Sequence, residues 1–152
     1  MNNIYTVFDM LCLKTLVPCT SICYFISVLH DVTMILSIRE EYQAAVGVIP
    51  RDIKADSEGG HAEILGRIIC VAKSILALQS SVCMQFRMGL HTGPLVAGVV
   101  GQELPFFGIF GHTVNTANRL MHKGVDGKLQ FTEETRTVLP PWGSAPATGV
   151  AL

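Results

Sequence analysis

Apolar side chains at every second position from 84 to 90 predict a half-buried strand: Met84, Phe86, Met88 and Leu90 alternate with Gln85, Arg87 and Gly89. Thr92-Gly93-Pro94 breaks that period, since glycine permits positive φ and proline fixes its own. A run of apolar and small residues follows at 95–100, then a short strand at 106–110 that Gly111 ends. From about Thr113 the period changes to that of a helix, with Val114, Ala117, Leu120 and Met121 as its apolar stripe. Upstream, 32–38 and 42–49 read as two strands joined by Arg39-Glu40-Glu41, which predicts a hairpin. Ile64, Leu65, Ile68, Val71, Ala72, Ile75 and Leu76 recur at helical spacing over 61–78. Residues 129–131 predict a short strand, and Thr132 can cap a short helix after it. The segment 51–60 reads as a polar surface loop, 3–10 as the end of an amphipathic helix, and 139–152 as a loose tail.

Composition changes this picture little. A chain of 152 residues, 49% of them hydrophobic, fits one domain with a real core. A net charge of −1 gives no support for nucleic acid or an anionic membrane surface as partner. Five cysteines without a CxxC pattern argue against a disulfide framework and suggest a reducing compartment, hence a cytoplasmic location. Cys19 and Cys23 stand four apart with no His or acidic residue beside them to complete a metal set, and read as structural thiols. Within the apolar stretch 11–29, Leu16 to Leu29 is only fourteen residues, with Pro18 inside it and Lys14, His30 and Asp31 at its borders, whereas a membrane span needs about 20 apolar residues. Asp9 precedes it where a signal peptide would carry basic residues.

The candidate chemistry lies on the helix after Gly111. Asn115 and Arg119 are four apart and share one face, which Asn118 and His122 extend. An amide and a guanidinium one turn apart, beside a Gly-rich strand end, suit an anionic or phosphorylated ligand. The same pair is also common on a plainly solvated helix face. Glu40 reads by itself as the charged tip of a hairpin, and His61 as the start of a helix rather than a ligand.

Three blocks, FRMGLHTGPLVAGVVG, FFGIFGHTVNTANRL and GKLQFTEET, in this order and spacing, closely resemble the catalytic domain of class III nucleotidyl cyclases, nearest in wording to the guanylate cyclases. Weaker likenesses cover 3–10 and 32–78. The resemblance implies an α+β fold: a ferredoxin-like βαββαβ core, mostly antiparallel, with helices packed on the sheet. It implies conversion of GTP or ATP to the 3′,5′-cyclic monophosphate and pyrophosphate, a lyase reaction of intracellular signalling, with Mg²⁺ or Mn²⁺ as cofactor. It also implies an active site between two cyclase domains, in a homo- or heterodimer. Residue by residue, Asn115 matches the Asn that orients the ribose, and Arg119 the Arg that stabilises charge on the reacting phosphate. Glu40 falls on the second metal-binding Asp. Leu36 and Gly108 fall on positions that read the purine. His112 stands where the family usually has Asp or Asn.

The family's first strand, with text such as "FADIVGFT" and the first metal-binding Asp, has no evident match, nor does the later "VKGKG". The expectation is therefore a partial catalytic domain over 1–138, truncated at both ends, with 11–31 as an unmatched apolar insertion. A missing first strand would leave a sheet edge open to association. The resemblance allows a membrane connection only through regions outside this chain. Alone, the chain is expected to be inactive. Two alternatives are a non-catalytic partner that dimerises with an active cyclase, and a small-molecule-binding domain of ferredoxin-like fold.

Overall fold

The computed structural model describes residues 5–14, 19–38, 40–58, 60–82 and 85–138. The expected tail 139–152 and the turn residue Arg39 lie outside them. So does the side chain of His61.

The chain opens with a strand, β1 (Tyr5–Lys14), followed by α1 (Cys19–Leu29), β2 (Thr33–Ile38) and β3 (Glu41–Val46). Two helices, α2 (Pro50–Ser57) and α3 (His61–Val82), lead into β4 (Gln85–Gly93). A two-stranded ribbon, β5 (Val96–Val100) and β6 (Phe106–Phe110), precedes α4 (His112–His122), β7 (Lys128–Phe131) and α5 (Glu133–Val138). The main sheet has the order β2-β3-β1-β4-β7. Its neighbours run antiparallel except the parallel pair β4–β7. Both β1 and β2 run against β3, so they are parallel to each other with β3 between them. β3 and β4 flank β1 in the same way. These two split crossovers make the βαββαβ core that the family resemblance implies.

Alternation along the strands divides the sheet into two faces. Phe8, Met10, Tyr42, Ala44, Phe86, Met88 and Leu90 point to one face and are fully buried against α1 and α3. From α1 come Cys23 and Ile26, and from α3 Leu65, Ile68, Ala72 and Ile75. The other face carries Val7 and Ala45, which cluster with Ala117 of α4 and Ile109 of β6. Helix α4 lies close on this face over Gly89. A Cβ added at Gly89 would stand 2.3 Å from the Ala117 carbonyl oxygen and 2.7 Å from the Met121 nitrogen.

Three expectations need correction. Residues 5–14 form a strand, not the end of a helix, because Thr6, Phe8 and Met10 face one side while Val7 and Asp9 face the other. So short an apolar run fits either period until a partner strand is known, and here β3 and β4 bracket it. Consequently a strand, β1, stands at the centre of the sheet between β3 and β4, where an open edge was expected; the outer strands are β2 and β7. The stretch taken as an insertion supplies the end of β1 and the first crossover helix, whose Cys23, Ile26 and Ser27 face inward. The polar segment after Val48 is helical over Pro50–Ser57, with Pro at its first position and Asp52 in its first turn. Elsewhere the expected elements appear, with β4 continuing to Gly93 so that its break falls at Pro94. Among the described residues no helix is long and apolar enough to cross a membrane.

Candidate active site

Helix α4 begins after Gly111, whose φ of 133° is open to glycine and strained for other residues. It buries Thr113, Ala117, Leu120 and Met121. The Thr113 hydroxyl donates to the Pro94 carbonyl, tying the start of the helix to the turn after β4. Helical geometry then turns His112, Asn115, Arg119 and His122 outward, and all four are exposed. Asn115 and Arg119 therefore share one solvent-facing side. Among the described residues, neither side chain has a hydrogen-bond or ion-pair partner.

Arg119 also lines a cavity of about 280 Å³ together with His91, His112, Thr116, Thr132, Glu133 and Glu134. His91 is buried on β4, with Nδ1 2.7 Å from the Thr132 hydroxyl oxygen. Burial holds its imidazole below the usual histidine range, against the opposing pull of Glu134. Glu134 is held below the usual carboxylate range by its own backbone N–H and by Thr132. Thr132 stands just before α5, where the Thr135 N–H points at its hydroxyl.

The other residues singled out in the sequence lie on neighbouring elements. Leu36 is 42% exposed on the edge strand β2, and β6 packs against β2. Gly108 is buried on β6, paired with Gly98. A Cβ there would come 2.8 Å from the Phe110 ring and 3.2 Å from that of Phe106, so these two rings occupy the room a larger side chain would need. Glu40 is exposed in the β2–β3 turn.

Asp9 is a residue the sequence reading missed. It lies near the middle of β1, opposite Gln43 on β3 and Gly89 on β4, on the face that carries α4. Only 4% of it is exposed. Gln43 Nε2 donates to Oδ1 at 3.1 Å and lies 3.3 Å from Oδ2. Asn118 of α4 adds a second amide. Burial is the main reason its pKa is pushed up to about 6; the amides oppose that rise, and the nearby Glu41 charge adds to it. The available signal was a lone Asp inside an apolar strand-period run, since a buried carboxylate requires partners.

Divalent-cation chemistry would need carboxylate lone pairs free to enter a near-octahedral shell. Among the described strand residues of the main sheet, Asp9 and Glu41 are the two carboxylates on this face. The Asp9 oxygens are engaged by the Gln43 amide, and Glu41 Oε1 lies 3.8 Å from His122 Nε2. Glu40, the position matched to the second metal ligand, is not among the charges acting on Asp9. No group of three or more His, Cys, Asp or Glu suited to a metal occurs among the described residues. As arranged, these side chains do not fit the metal site that the fold implies.

The adenylate and guanylate cyclase catalytic domain model matches residues 1–146. Guanylate cyclase soluble subunit beta-2 of Rattus norvegicus is 32% identical over 139 residues, covering 91% of this chain and 18% of that protein. Retinal guanylyl cyclase 2 of the same species is 31% identical over 143 residues, covering 91% of this chain and 11% of its own length. The chain thus spans less than a fifth of these curated relatives. In three dimensions, the guanylate cyclase domain of RhGC from Catenaria anguillulae, solved in complex with GTP, superposes with a TM-score of 0.71 at 20% identity, over 90% of this chain and 82% of that one. The adenylyl cyclase CyaB from P. aeruginosa gives a TM-score of 0.68 at 18% identity, over 89% and 79%. By its matched length and its fold, the chain belongs to the adenylate and guanylate cyclase catalytic domain family.

Proposed function

We propose that this domain supplies the ribose- and phosphate-holding half of a nucleotide cyclase site, and that a second cyclase domain completes it. The substrate is GTP or ATP. In the reaction the ribose 3′-oxygen attacks the α-phosphorus, the bond from that phosphorus to the bridging oxygen breaks, and pyrophosphate leaves as the cyclic monophosphate closes. The 3′-hydroxyl proton passes to solvent. Asn115 holds the ribose in the orientation for attack. Arg119 places a planar fork of donors against the charge that grows on the reacting phosphate. The cation-bearing carboxylates, with Mg²⁺ or Mn²⁺, come from the other domain.

The observation that carries this reading is the state of α4. Its inner side is buried, while Asn115 and Arg119 stand outward with no partner among the described residues. A guanidinium so presented is set to meet an anion from outside its own fold. At the purine end, Leu36 and Gly108 have no polar side-chain atom with which to tell guanine from adenine. The domain acts in the cytosol, where both nucleotides are abundant and where the thiols of Cys23 and Cys70 would stay reduced.

The test mixes this chain with a cyclase domain that retains its metal carboxylates but lacks the Asn and Arg. Cyclic nucleotide should form in the mixture and in neither component alone. The sealed state of Asp9 favours a second reading, a purely regulatory partner, which predicts association without restored turnover.

A further inference from the structure

The surroundings of Asp9 differ from those of an ordinary buried carboxylate. The other buried acid among the described residues is matched to a cation: Asp52 faces Arg67 at 2.6 Å. No arginine or lysine pairs with Asp9 among the described residues. Its hydrogen bonds come from a neutral amide, that of Gln43, and the Asn118 amide nearby also lowers its pKa. Ladder register puts Gln43 directly opposite Asp9 on one side and Gly89, with no side chain, on the other. Asn118 of α4 is the second amide that acts on Asp9.

Glu41 adds a second negative charge on the same face, one alternation along β3 from Gln43, and His122 stands 3.8 Å from it. Two carboxylates on one sheet face repel each other, and amides relieve this only partly, because they donate hydrogen bonds without carrying charge. A divalent cation would neutralise both. To reach Asp9 it has to displace the Gln43 amide from oxygens that are almost wholly covered.

We propose that the Gln43 side chain, with Asn118 beside it, is an internal plug that occupies a divalent-cation site on Asp9 and Glu41 and keeps the ion out of this chain. This deepens the reading above, which assigns the cations to the other domain, and it gives that division of labour a cause in named residues. Gln43 acts through Asp9 and touches no substrate, so it is a positioning residue. An apolar side chain of similar length at 43 leaves both Asp9 oxygens free to take an ion.

The experiment titrates Mn²⁺ into the full chain with no nucleotide or partner present, and counts free ion by electron paramagnetic resonance. Wild type, Gln43→Met, Gln43→Ala and the double variant Asp9→Asn/Gln43→Met are compared, with a melting curve for each. Wild type should bind with Kd above about 1 mM. Both Gln43 variants should bind at least about tenfold more tightly, and the double variant should lose that gain. Wild-type binding as tight as that of the Gln43 variants would overturn the proposal, as would variants that bind no better. So would loss of cooperative melting in both Gln43 variants, which would make the amide structural. Failure of the half-site reading shows instead as Arg119-independent turnover in the mixed complex and leaves these titrations unchanged.

Discussion

Replacing Gly89 by alanine places one methyl group between β4 and α4. Its carbon would stand 2.3 Å from the Ala117 carbonyl oxygen, 2.7 Å from the Met121 nitrogen and 3.0 Å from the Leu120 Cβ. Two of these are backbone atoms of a helix, which cannot rotate aside as a side chain can. An ordinary carbon–oxygen contact needs about 3.4 Å, so α4 must lift by about 1 Å or peel away from the sheet. Overpacking of this kind costs about 1–3 kcal/mol. For a domain of this size the melting temperature should fall by about 3–10 °C. Gly66 is the control: nothing lies within 4 Å of its added Cβ, and it sits inside α3. Gly66→Ala should therefore raise the melting temperature, by relief of the glycine penalty of about 1 kcal/mol in a helix. Circular dichroism melts of the three proteins decide the matter. Because Arg119 rides on α4, the same lift displaces its guanidinium, and a 1 Å misplacement can cost about 10²-fold in turnover. A Gly89→Ala protein melting within about 1 °C of wild type would refute the packing argument.

Asp52→Ala should cost about 2–4 kcal/mol, because the side chain is only 2% exposed and takes both Arg67 at 2.6 Å and the Gly47 N–H at 3.1 Å; urea unfolding with an unchanged midpoint would count against this. Asp9 gives a pH signature. Its native pKa of about 6 lies above the ordinary 3.8, so its contribution to stability is fully present below pH 3.8 and is lost as pH rises through 6. Asp9→Asn should thus stabilise the domain relative to wild type at pH 7.5, by at most about 3 kcal/mol, and the gain should vanish near pH 4; paired melts across that range would show no pH-dependent gap if the burial argument fails. At the purine end, GTP and ATP should displace a fluorescent nucleotide from the mixed complex with affinities within about threefold, since Leu36 and Gly108 forgo the polar contacts that give large discrimination; a preference beyond about thirtyfold would point to a reading residue elsewhere.

The elements downstream of residue 84 were legible because their patterns are long or punctuated. The alternation in β4, the stop at Pro94 and the four-residue spacing on α4 each admit one reading, and they carry Asn115 and Arg119 to the same exposed side. The start of the chain was not legible for a physical reason. Thr6 to Met10 fits a helix end as well as a strand, and only the flanking partners β3 and β4 decide between them. That ambiguity hid Asp9, and with it the amide cover from Gln43. Burial of Asp9 depends on contacts more than thirty residues away, which no local spacing reveals. The stretch with Cys23 and Ile26 looked foreign because its apolar side chains serve a core face that the sequence alone did not supply. Helix α2 was obscured by its polar composition; its buried Asp52 is stabilised by Arg67 from α3 rather than by anything within the segment.

The most direct measurement of the central claim is cyclase turnover in the mixed complex, wild type against Arg119→Ala, with the melting temperature of each chain recorded alongside. Arg119 is exposed and has no partner in its own fold among the described residues. Its removal should therefore change stability by no more than about 0.5 kcal/mol. Turnover should fall by on the order of 10²-fold, as for loss of one transition-state donor, and Arg119→Lys should restore only part of it, because a point charge lacks the planar fork. An active mixture whose turnover is unchanged by Arg119→Ala, or a variant that unfolds, would contradict the account.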